Sequence, residues 1–161
     1  YDTRLWSNPL KLSAAASVTD TRITDIKGLP SVLQGSGLTL LGTMAQTVVT
    51  DSSPKDKLRL SALYQVGALD IDTSLIRYGE YRDATNTANI QTFSAQWVAN
   101  LDLGYSFTDQ LKARIGANNL FDSRPDKLNT AARAPVVYEY SAFAPDGAFG
   151  TYVYAGLDYN F

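Results

Sequence analysis

Apolar and polar residues alternate along six segments of this chain. In the clearest segment, residues 93–107, Trp97, Leu101 and Tyr105 fall on one side, and Asn100 and Asp102 fall on the other. A period of two is the side-chain period of a β-strand, whereas no stretch longer than about 12 residues keeps the spacing of an amphipathic helix. The pattern therefore predicts an all-β protein. The predicted strands cover residues 10–24, 57–66, 70–81, 93–107, 111–121 and 151–161.

The connections between these strands alternate between short and long. Residues 67–69 and 108–110 have the length of hairpin turns, whereas residues 25–56, 82–92 and 122–148 form long links. The first long link has an apolar core around Leu38–Leu41 that predicts a short helix or hairpin. Alternating loop lengths are typical of outer-membrane barrels. The predicted strands are also long enough to cross a bilayer, since a tilted transmembrane strand needs about 9–11 residues. We expect an antiparallel meander of about six long strands within a transmembrane β-barrel.

Aromatic residues gather near the ends of the predicted strands. Outer-membrane barrels carry such residues in two girdles, one at each membrane interface. We therefore expect these aromatic side chains to belong to girdles. They are Tyr78, Tyr81, Tyr105, Phe107, Phe121, Tyr159 and Phe161.

The composition argues against enzyme and nucleic-acid functions. The 161 residues include no Cys and no His, which removes disulfides, thiolate ligands, the commonest general base and the commonest metal ligand. Two carboxylates could form a glycosidase pair, but Asp102 and Asp158 fall on a polar strand side, and Asp70 and Asp72 lie beside a short turn. We expect no catalytic residue, cofactor or metal. A net charge of −2 with dispersed Lys and Arg gives no reason to expect nucleic acid.

Two stretches resemble the C-terminal end of TonB-dependent outer-membrane receptors. They are IGANNLFDSRPDK at 115–127 and GTYVYAGLDYNF at 150–161. In that family an Asn-Leu-Phe-Asp stretch closes the penultimate strand, and the last strand ends on Phe. The matching residues here are Asn119, Leu120, Phe121 and Asp122. The resemblance covers most of the chain and is closest from residue 93 onward, although Asn100 stands where the family usually has an acidic residue.

The resemblance implies a function in active transport across the outer membrane of a Gram-negative bacterium. Residues 1–161 would be one C-terminal segment of a barrel of about 22 strands. The family imports large scarce nutrients, most often ferric siderophores, with cobalamin and oligosaccharides as alternatives. Implied partners are outer-membrane lipid and lipopolysaccharide, the transported substrate, and the TonB complex acting through an N-terminal plug. Since the sequence shows no plug and begins without Met, we expect it to be the tail of a longer receptor.

The resemblance also gives the last strand a role in assembly. In outer-membrane barrels, a terminal aromatic residue preceded by apolar residues at alternate positions is the signal that the barrel-assembly machinery recognises. The residues that match this pattern are Val153, Ala155, Leu157, Tyr159 and Phe161.

Two other interpretations are compatible with the residues. A soluble antiparallel β-domain would bind carbohydrate through aromatic residues of its loops, and a small self-contained barrel would need two more strands than the six predicted. The loop aromatics are Tyr138, Tyr140, Phe143 and Phe149. A soluble sandwich buries its apolar strand faces, whereas a barrel wall exposes them. The sequence assigns no substrate-binding residue.

Overall fold

The computed structural model describes residues 1–85, 89–129 and 138–161, and most of its regular structure is antiparallel β-sheet. The strands are β1 (Asp2–Leu5), β2 (Asn8–Val18), β3 (Asp56–Val66), β4 (Leu69–Tyr78), β5 (Tyr81–Asp83), β6 (Gln91–Phe93), β7 (Gln96–Ser106), β8 (Leu111–Asn118) and β9 (Tyr152–Tyr159). Seven of them form one sheet in the order β1-β2-β3-β4-β7-β8-β9, while β5 and β6 form a separate hairpin. Helix α1 spans Thr43–Thr50, and a 3-10 turn covers Ser31–Leu33. Neither of these described helical segments is long and apolar enough to span a membrane.

The predicted all-β fold and antiparallel meander are confirmed, and each predicted strand has a counterpart in the sheet. Strand β1 and the β5–β6 hairpin were not predicted. Helix α1 begins just after the apolar residues Leu38–Leu41. Over the described residues the sheet is open, with β1 and β9 at its edges. Parts of two predicted long links, residues 86–88 and 130–137, lie outside the described residues.

Three predicted strands end at least three residues earlier than the sequence pattern suggests, for local reasons. The strand predicted over residues 10–24 stops at Val18, and Asp20 then pairs with Arg22 and Lys55. The strand predicted over residues 70–81 stops at Tyr78, where Gly79 approaches Asp56 so closely that a Cβ would collide with the Asp56 carboxylate. The strand predicted over residues 111–121 stops at Asn118, because Asn119 takes a left-handed φ of 51°.

The connections lie at two distinct ends of the sheet. Trp6–Ser7, Gly67–Ala68 and residues 107–110 are short turns at one end, which we call the turn end. The described residues of the long connections 19–55, 79–95 and 119–151 lie at the opposite end, which we call the loop end. Successive connections of a meander emerge at opposite ends of the sheet. Links that alternate between short and long along the chain therefore place the short links at one end and the long links at the other. That alternation is confirmed.

The strand register segregates apolar from polar side chains. Directly opposed residues of an antiparallel sheet project from the same face. One row contains Tyr64, Ile71, Leu103, Ile115 and Ala155, and it defines the apolar face. Rows on the other, polar face contain Ser13, Ser61, Ser74 and Asn100, and Asp72, Asp102, Gly116 and Tyr154.

A loop cap covers the loop end of the polar face. We define it as the β5–β6 hairpin together with residues 122–129 and 138–150. Its core contains Tyr81, Phe93 and Leu128, with Phe143 and Ala144 packed against them. The Tyr81 and Phe93 rings stack with centroids 4.7 Å apart. From the polar face, the Tyr78 hydroxyl donates to Asp146 at 3.4 Å and the Gln96 amide donates to the Ser123 carbonyl at 3.2 Å, so the cap is attached to two neighbouring strands.

Two glycines on the polar face let long side chains bridge three strands. The Tyr154 ring of β9 lies over Gly116 of β8, and its hydroxyl donates to Asp102 of β7 at 2.7 Å. The Lys112 stem of β8 similarly lies over Gly104 of β7, and its ammonium pairs with Asp70 of β4. A Cβ at either glycine would collide with the side chain above it. We call these two contacts the cross-strand braces.

Replacing Gly116 by Ala should break the Tyr154 brace. Gly156→Ala is the matched control, because a Cβ at Gly156 meets nothing closer than the Arg114 stem at 3.9 Å. Both variants gain the same backbone-entropy benefit, but only Gly116→Ala displaces the Tyr154 ring and its hydrogen bond to Asp102. We expect Gly116→Ala to have a free energy of unfolding about 1 kcal/mol lower than Gly156→Ala in equilibrium urea unfolding. Equal stabilities would show that the brace contributes nothing.

Candidate functional site

The apolar face of the sheet is exposed. Ile115 is 54% exposed and Leu157 is 75% exposed. Further large apolar residues on this face are also exposed, namely Leu12, Leu60, Leu75, Trp97, Tyr105, Val153 and Tyr159. Soluble monomers rarely expose apolar patches larger than a few hundred Å², and larger patches mark contact with protein or membrane. This face is therefore the first candidate functional surface.

Two aromatic pairs border the apolar face at the turn end, and one tryptophan borders it at the loop end. At the turn end, Tyr105 packs edge-on against Phe107 at 5.0 Å, and Tyr159 packs edge-on against Phe161 at 5.1 Å. Trp97 lies at the loop end of the same face as Tyr105 and on the same strand. The eight residue steps between Trp97 and Tyr105 correspond to about 27 Å along the strand. For a strand tilted by about 40°, as in outer-membrane barrels, that length spans about 21 Å of membrane thickness, comparable with their apolar band of about 25 Å.

Two aromatic residues expected in a girdle lie elsewhere. Tyr81 is only 3% exposed, because it packs in the core of the loop cap. Tyr78 shares the polar face with its cross-strand neighbour Gln96 and is half-buried beneath the cap. The girdle prediction is therefore wrong for both residues. Tyr78 alternates in phase with Asp72 and Ser74 on the polar face, and Tyr81 follows the bend at Gly79, where the alternation of β4 ends.

The proposed assembly residues share the apolar face of edge strand β9. Val153, Ala155, Leu157 and Tyr159 are opposed by Ala117, Ile115, Ala113 and Leu111 of β8. All four β9 side chains are exposed, as is Phe161 beyond the strand. The structure thus brings the five predicted residues into one exposed apolar line beside an unpaired strand edge of the described sheet.

The Asn-Leu-Phe-Asp stretch forms a hydrogen-bonded corner after β8. Asn119 is 4% exposed and has a φ of 51°, a left-handed conformation that Asn tolerates better than most residues. Its amide donates to the Ser123 carbonyl at 2.7 Å and accepts from the Ser123 amide at 2.8 Å. Its carbonyl accepts from the Thr151 hydroxyl at 2.8 Å, which ties the corner to the residue preceding β9.

Asp122 completes this corner from the other side. It has a φ of 53°, and its carboxylate accepts from the Thr151 amide at 3.3 Å and from the Arg124 guanidinium at 3.1 Å. A Cβ at Gly150 would collide with the Asp122 carboxylate, so the close approach of the two segments needs glycine. Leu120 and Phe121 are exposed. Within the described residues, the stretch therefore positions β9 relative to β8, and its two polar residues provide the contacts.

Two carboxylates of the polar face, Asp70 and Asp102, are held in structural contacts. Asp70 pairs with Lys112 and accepts from Gln65 at 2.9 Å. Asp102 accepts from Arg114 at 3.1 Å and from Tyr154 at 2.7 Å. These contacts give the polar face a charged, hydrogen-bonded surface suited to water rather than to lipid.

The loop aromatics separate into packed and exposed rings. Phe143 packs against the core of the cap, and Tyr140 is partly buried near the Lys127 ammonium, 6.0 Å from its ring centroid. Tyr138 and Phe149 are exposed, the latter at 88%. Tyr152 is an exposed ring on the polar face and stacks with Tyr154 at 6.1 Å. The strict alternation along residues 151–161 predicts this placement, since it puts Tyr152 and Tyr154 on the same side of the strand.

A buried polar cluster fixes the cap internally. The Asp83 carboxylate is buried and accepts from the Ser141 hydroxyl at 2.6 Å and from the amide and hydroxyl of Thr85 at 2.7 and 2.6 Å. The Tyr81 hydroxyl is also buried, and it has no hydrogen-bond partner within the described part of the chain. The nearby Ser141 hydroxyl is already committed to Asp83. Burial raises the pKa of Tyr81 to about 12.

Comparisons with known proteins do not assign the chain to a family. No protein-family model, curated protein or solved structure matches it.

Replacing Asn119 by Ala should open the corner after β8. The change removes the amide contacts to Ser123 and leaves Ala in a left-handed conformation, a loss of about 2 kcal/mol in local stability. We expect trypsin to cleave after Lys127 at least about tenfold faster, as measured by mass spectrometry of the fragment ending there. Asn118→Ala is the control, because Asn118 is exposed at the end of β8. Equal cleavage rates in the two variants would contradict a role for the Asn119 amide.

Replacing Tyr81 by Phe should protect the cap at high pH. Because burial raises the folded-state pKa of Tyr81 above the ordinary value of 10.0, its titration leaves stability unchanged below pH 10 and lowers stability as the pH rises toward about 12. Tyr81→Phe should therefore lose less stability than the parent between pH 8 and pH ~11 in urea unfolding. At neutral pH it should be at least as stable, since the removed hydroxyl is buried without a partner. Tyr138→Phe, an exposed control, should behave as the parent does; the same result for Tyr81→Phe would contradict the prediction.

Proposed function

We propose that this chain is a wall segment of a TonB-dependent transporter in the outer membrane of a Gram-negative bacterium. The observation that carries the proposal is the exposed apolar face, bordered by aromatic residues at both ends and backed by a charged polar face. Lipid would cover the apolar face, and the polar face would line the water-filled interior. Short turns at one end and long loops at the other support the same orientation, with the loop end outside the cell.

The proposal gives each part of the structure a role in transport. The loop cap would form part of the entrance for a large, scarce nutrient, with a ferric siderophore the first choice from the family resemblance. Exposed Tyr138, Phe149 and Tyr152 are the aromatic rings available there. Outer-membrane lipid and lipopolysaccharide would contact the apolar face, and the barrel-assembly machinery would bind the edge of β9. Energy from the TonB complex would enter through a plug outside residues 1–161.

A soluble carbohydrate-binding β-domain is the alternative, and the exposed rings of Tyr138 and Phe149 favour it. Aromatic faces are suited to stacking against sugars. This alternative requires some other protein surface to cover the apolar face, because water contact with that face is unfavourable. The two proposals therefore differ in what contacts the apolar face.

Spin labels on neighbouring residues should distinguish these environments. The chain contains no Cys, so single Cys residues can be introduced at Leu60 and Ile71 on the apolar face and at Ser61 and Asp72 on the polar face. In outer-membrane fractions of a Gram-negative host, labels at Leu60 and Ile71 should be more accessible to oxygen, which is enriched in lipid. Labels at Ser61 and Asp72 should be more accessible to a water-soluble nickel complex. Strand alternation predicts this difference at each adjacent Leu60–Ser61 and Ile71–Asp72 pair.

Two results would count against the membrane wall. One is equal accessibility at neighbouring positions, and the other is recovery of the protein in the aqueous fraction without detergent.

The transport function itself is tested by uptake of radiolabelled ferric siderophores in the source bacterium. Deleting the gene should abolish uptake of at least one siderophore, and collapsing the proton gradient should have the same effect. Unchanged uptake of every siderophore tested would leave cobalamin and oligosaccharides as the next substrates to examine.

A further inference from the structure

Charge is divided unevenly across the polar face. The polar sides of β2 and β3 carry three cations and no carboxylate, the cations being Lys11, Lys57 and Arg59. The polar sides of β4, β7, β8 and β9 carry four carboxylates and two cations, namely Asp70, Asp72, Asp102, Asp158, Lys112 and Arg114. Lys11 is opposed by Asp2 of β1. The positive charge that no opposed carboxylate offsets therefore lies on β3.

Lys57 and Arg59 lie near the loop end of β3 without a carboxylate partner. Neither forms an ion pair with a carboxylate of residues 1–85, 89–129 and 138–161. The side chains opposite them on β2 are small, with Ser17 opposite Lys57 and Ala15 opposite Arg59. Both small residues and both cations are exposed. An ion that approaches the polar face can therefore reach both cationic groups.

The loop cap borders this pair of cations on the side away from β2. The Lys57 ammonium lies 4.8 Å from the centroid of the Tyr78 ring, and the Tyr78 hydroxyl donates to Asp146 of the cap at 3.4 Å. Burial raises the pKa of Asp146, and the charge of Lys57 lowers it, so this carboxylate acts on the pair. One carboxylate against two cations leaves a net positive charge beneath the edge of the cap.

The chemistry of the two cations suits oxyanions. A guanidinium offers two parallel N–H donors to a carboxylate or phosphate, and an ammonium adds a compact positive charge. Hydroxyl groups lie beside them, since Ser13 and Ser61 form a hydroxyl pair at 2.8 Å in the row next to Arg59. Lys and Arg side chains of this kind also line pores that select anions.

We propose that Lys57 and Arg59 form an oxyanion subsite on the inner wall of the transporter, and that the transported substrate is a net negative molecule with carboxylate groups. For a ferric siderophore, this requires carboxylate oxygens that are not bound to the iron and can accept from Arg59. A cationic chelate is repelled by the same pair of charges. This inference rests on the proposed function and adds to it the charge of the substrate.

A single thiol opposite Arg59 tests the charge of the subsite. The chain has no Cys, so Ala15→Cys introduces one exposed thiol there. In outer-membrane fractions, the thiol is modified by two methanethiosulfonates of similar size, one with an anionic sulfonate and one with a cationic trimethylammonium group. The ratio of the anionic to the cationic rate should be about tenfold higher than for free cysteine, because two nearby cations attract one reagent and repel the other.

Removing the two cations should abolish this preference. Lys57→Gln/Arg59→Gln keeps long polar side chains and removes both charges. Arg22→Gln/Lys27→Gln is the matched control, since it removes the same charge from the long connection after β2 and should retain the preference.

Citrate serves as the probe for binding, because it carries three carboxylates. Millimolar citrate at constant ionic strength should slow modification of Ala15→Cys by the anionic reagent about twofold or more, as expected when half of the sites are occupied. Glucose, a neutral probe, should not slow it. The effect of citrate should disappear in Lys57→Gln/Arg59→Gln.

The outcomes separate this inference from the proposed function. If neither reagent modifies Ala15→Cys, the polar face does not face water, and the membrane wall and the subsite both fail. If the thiol reacts with the rate ratio of free cysteine, the membrane wall stands and the subsite is overturned. A preference that survives Lys57→Gln/Arg59→Gln, one that Arg22→Gln/Lys27→Gln abolishes, or an absence of protection by citrate also overturns the subsite.

Discussion

A single sheet has to satisfy two different environments at once, since its side chains alternate between its faces. Here the apolar face exposes aliphatic and aromatic side chains, and the polar face carries ion pairs and hydrogen bonds. Complete removal of one large aliphatic side chain from water is favourable by about 1.5–3 kcal/mol of free energy. An exposed apolar face of this extent therefore strongly favours contact with lipid or protein. The position of the loop cap follows from the same segregation, because the cap lies on the polar face and leaves the apolar face open.

The sheet was largely predictable because the alternation of apolar and polar residues that marks its strands is local and is repeated from strand to strand. Along residues 96–106 every second side chain is apolar, and the same holds along residues 111–118 and 152–159. A pattern of this kind fixes both the strand and the face on which each residue lies. The five proposed assembly residues were placed together for the same reason, since Val153 to Phe161 occupy alternate positions of one segment. Their recognition by the assembly machinery remains a proposal.

Elements that depend on contacts between distant residues were not predictable. Strand β1 was missed because its turn uses Trp6 and Ser7 with φ values of 48° and 70°, without the Gly or Asn that usually marks such a turn. The β5–β6 hairpin was missed because its strands are three residues long and are stabilised by Leu128, a residue far along the chain. Tyr81 was assigned to a girdle for the same reason. A pocket lined by Asp51, Arg77 and Arg82 brings together the end of α1, β4 and β5, which no local pattern relates.

The Tyr154 brace has a consequence for how the strands find their register. A one-residue slip of β9 against β8 would turn Val153 and Leu157 onto the polar face, so the segregation of faces already opposes it. A two-residue slip would keep every side chain on its own face, and segregation alone cannot distinguish it from the native pairing. It would, however, move the Tyr154 ring away from Gly116 and its hydroxyl away from Asp102. Tyr154 therefore distinguishes the native pairing from a two-residue slip, first through Gly116 of β8 and, once β7 has paired, also through Asp102.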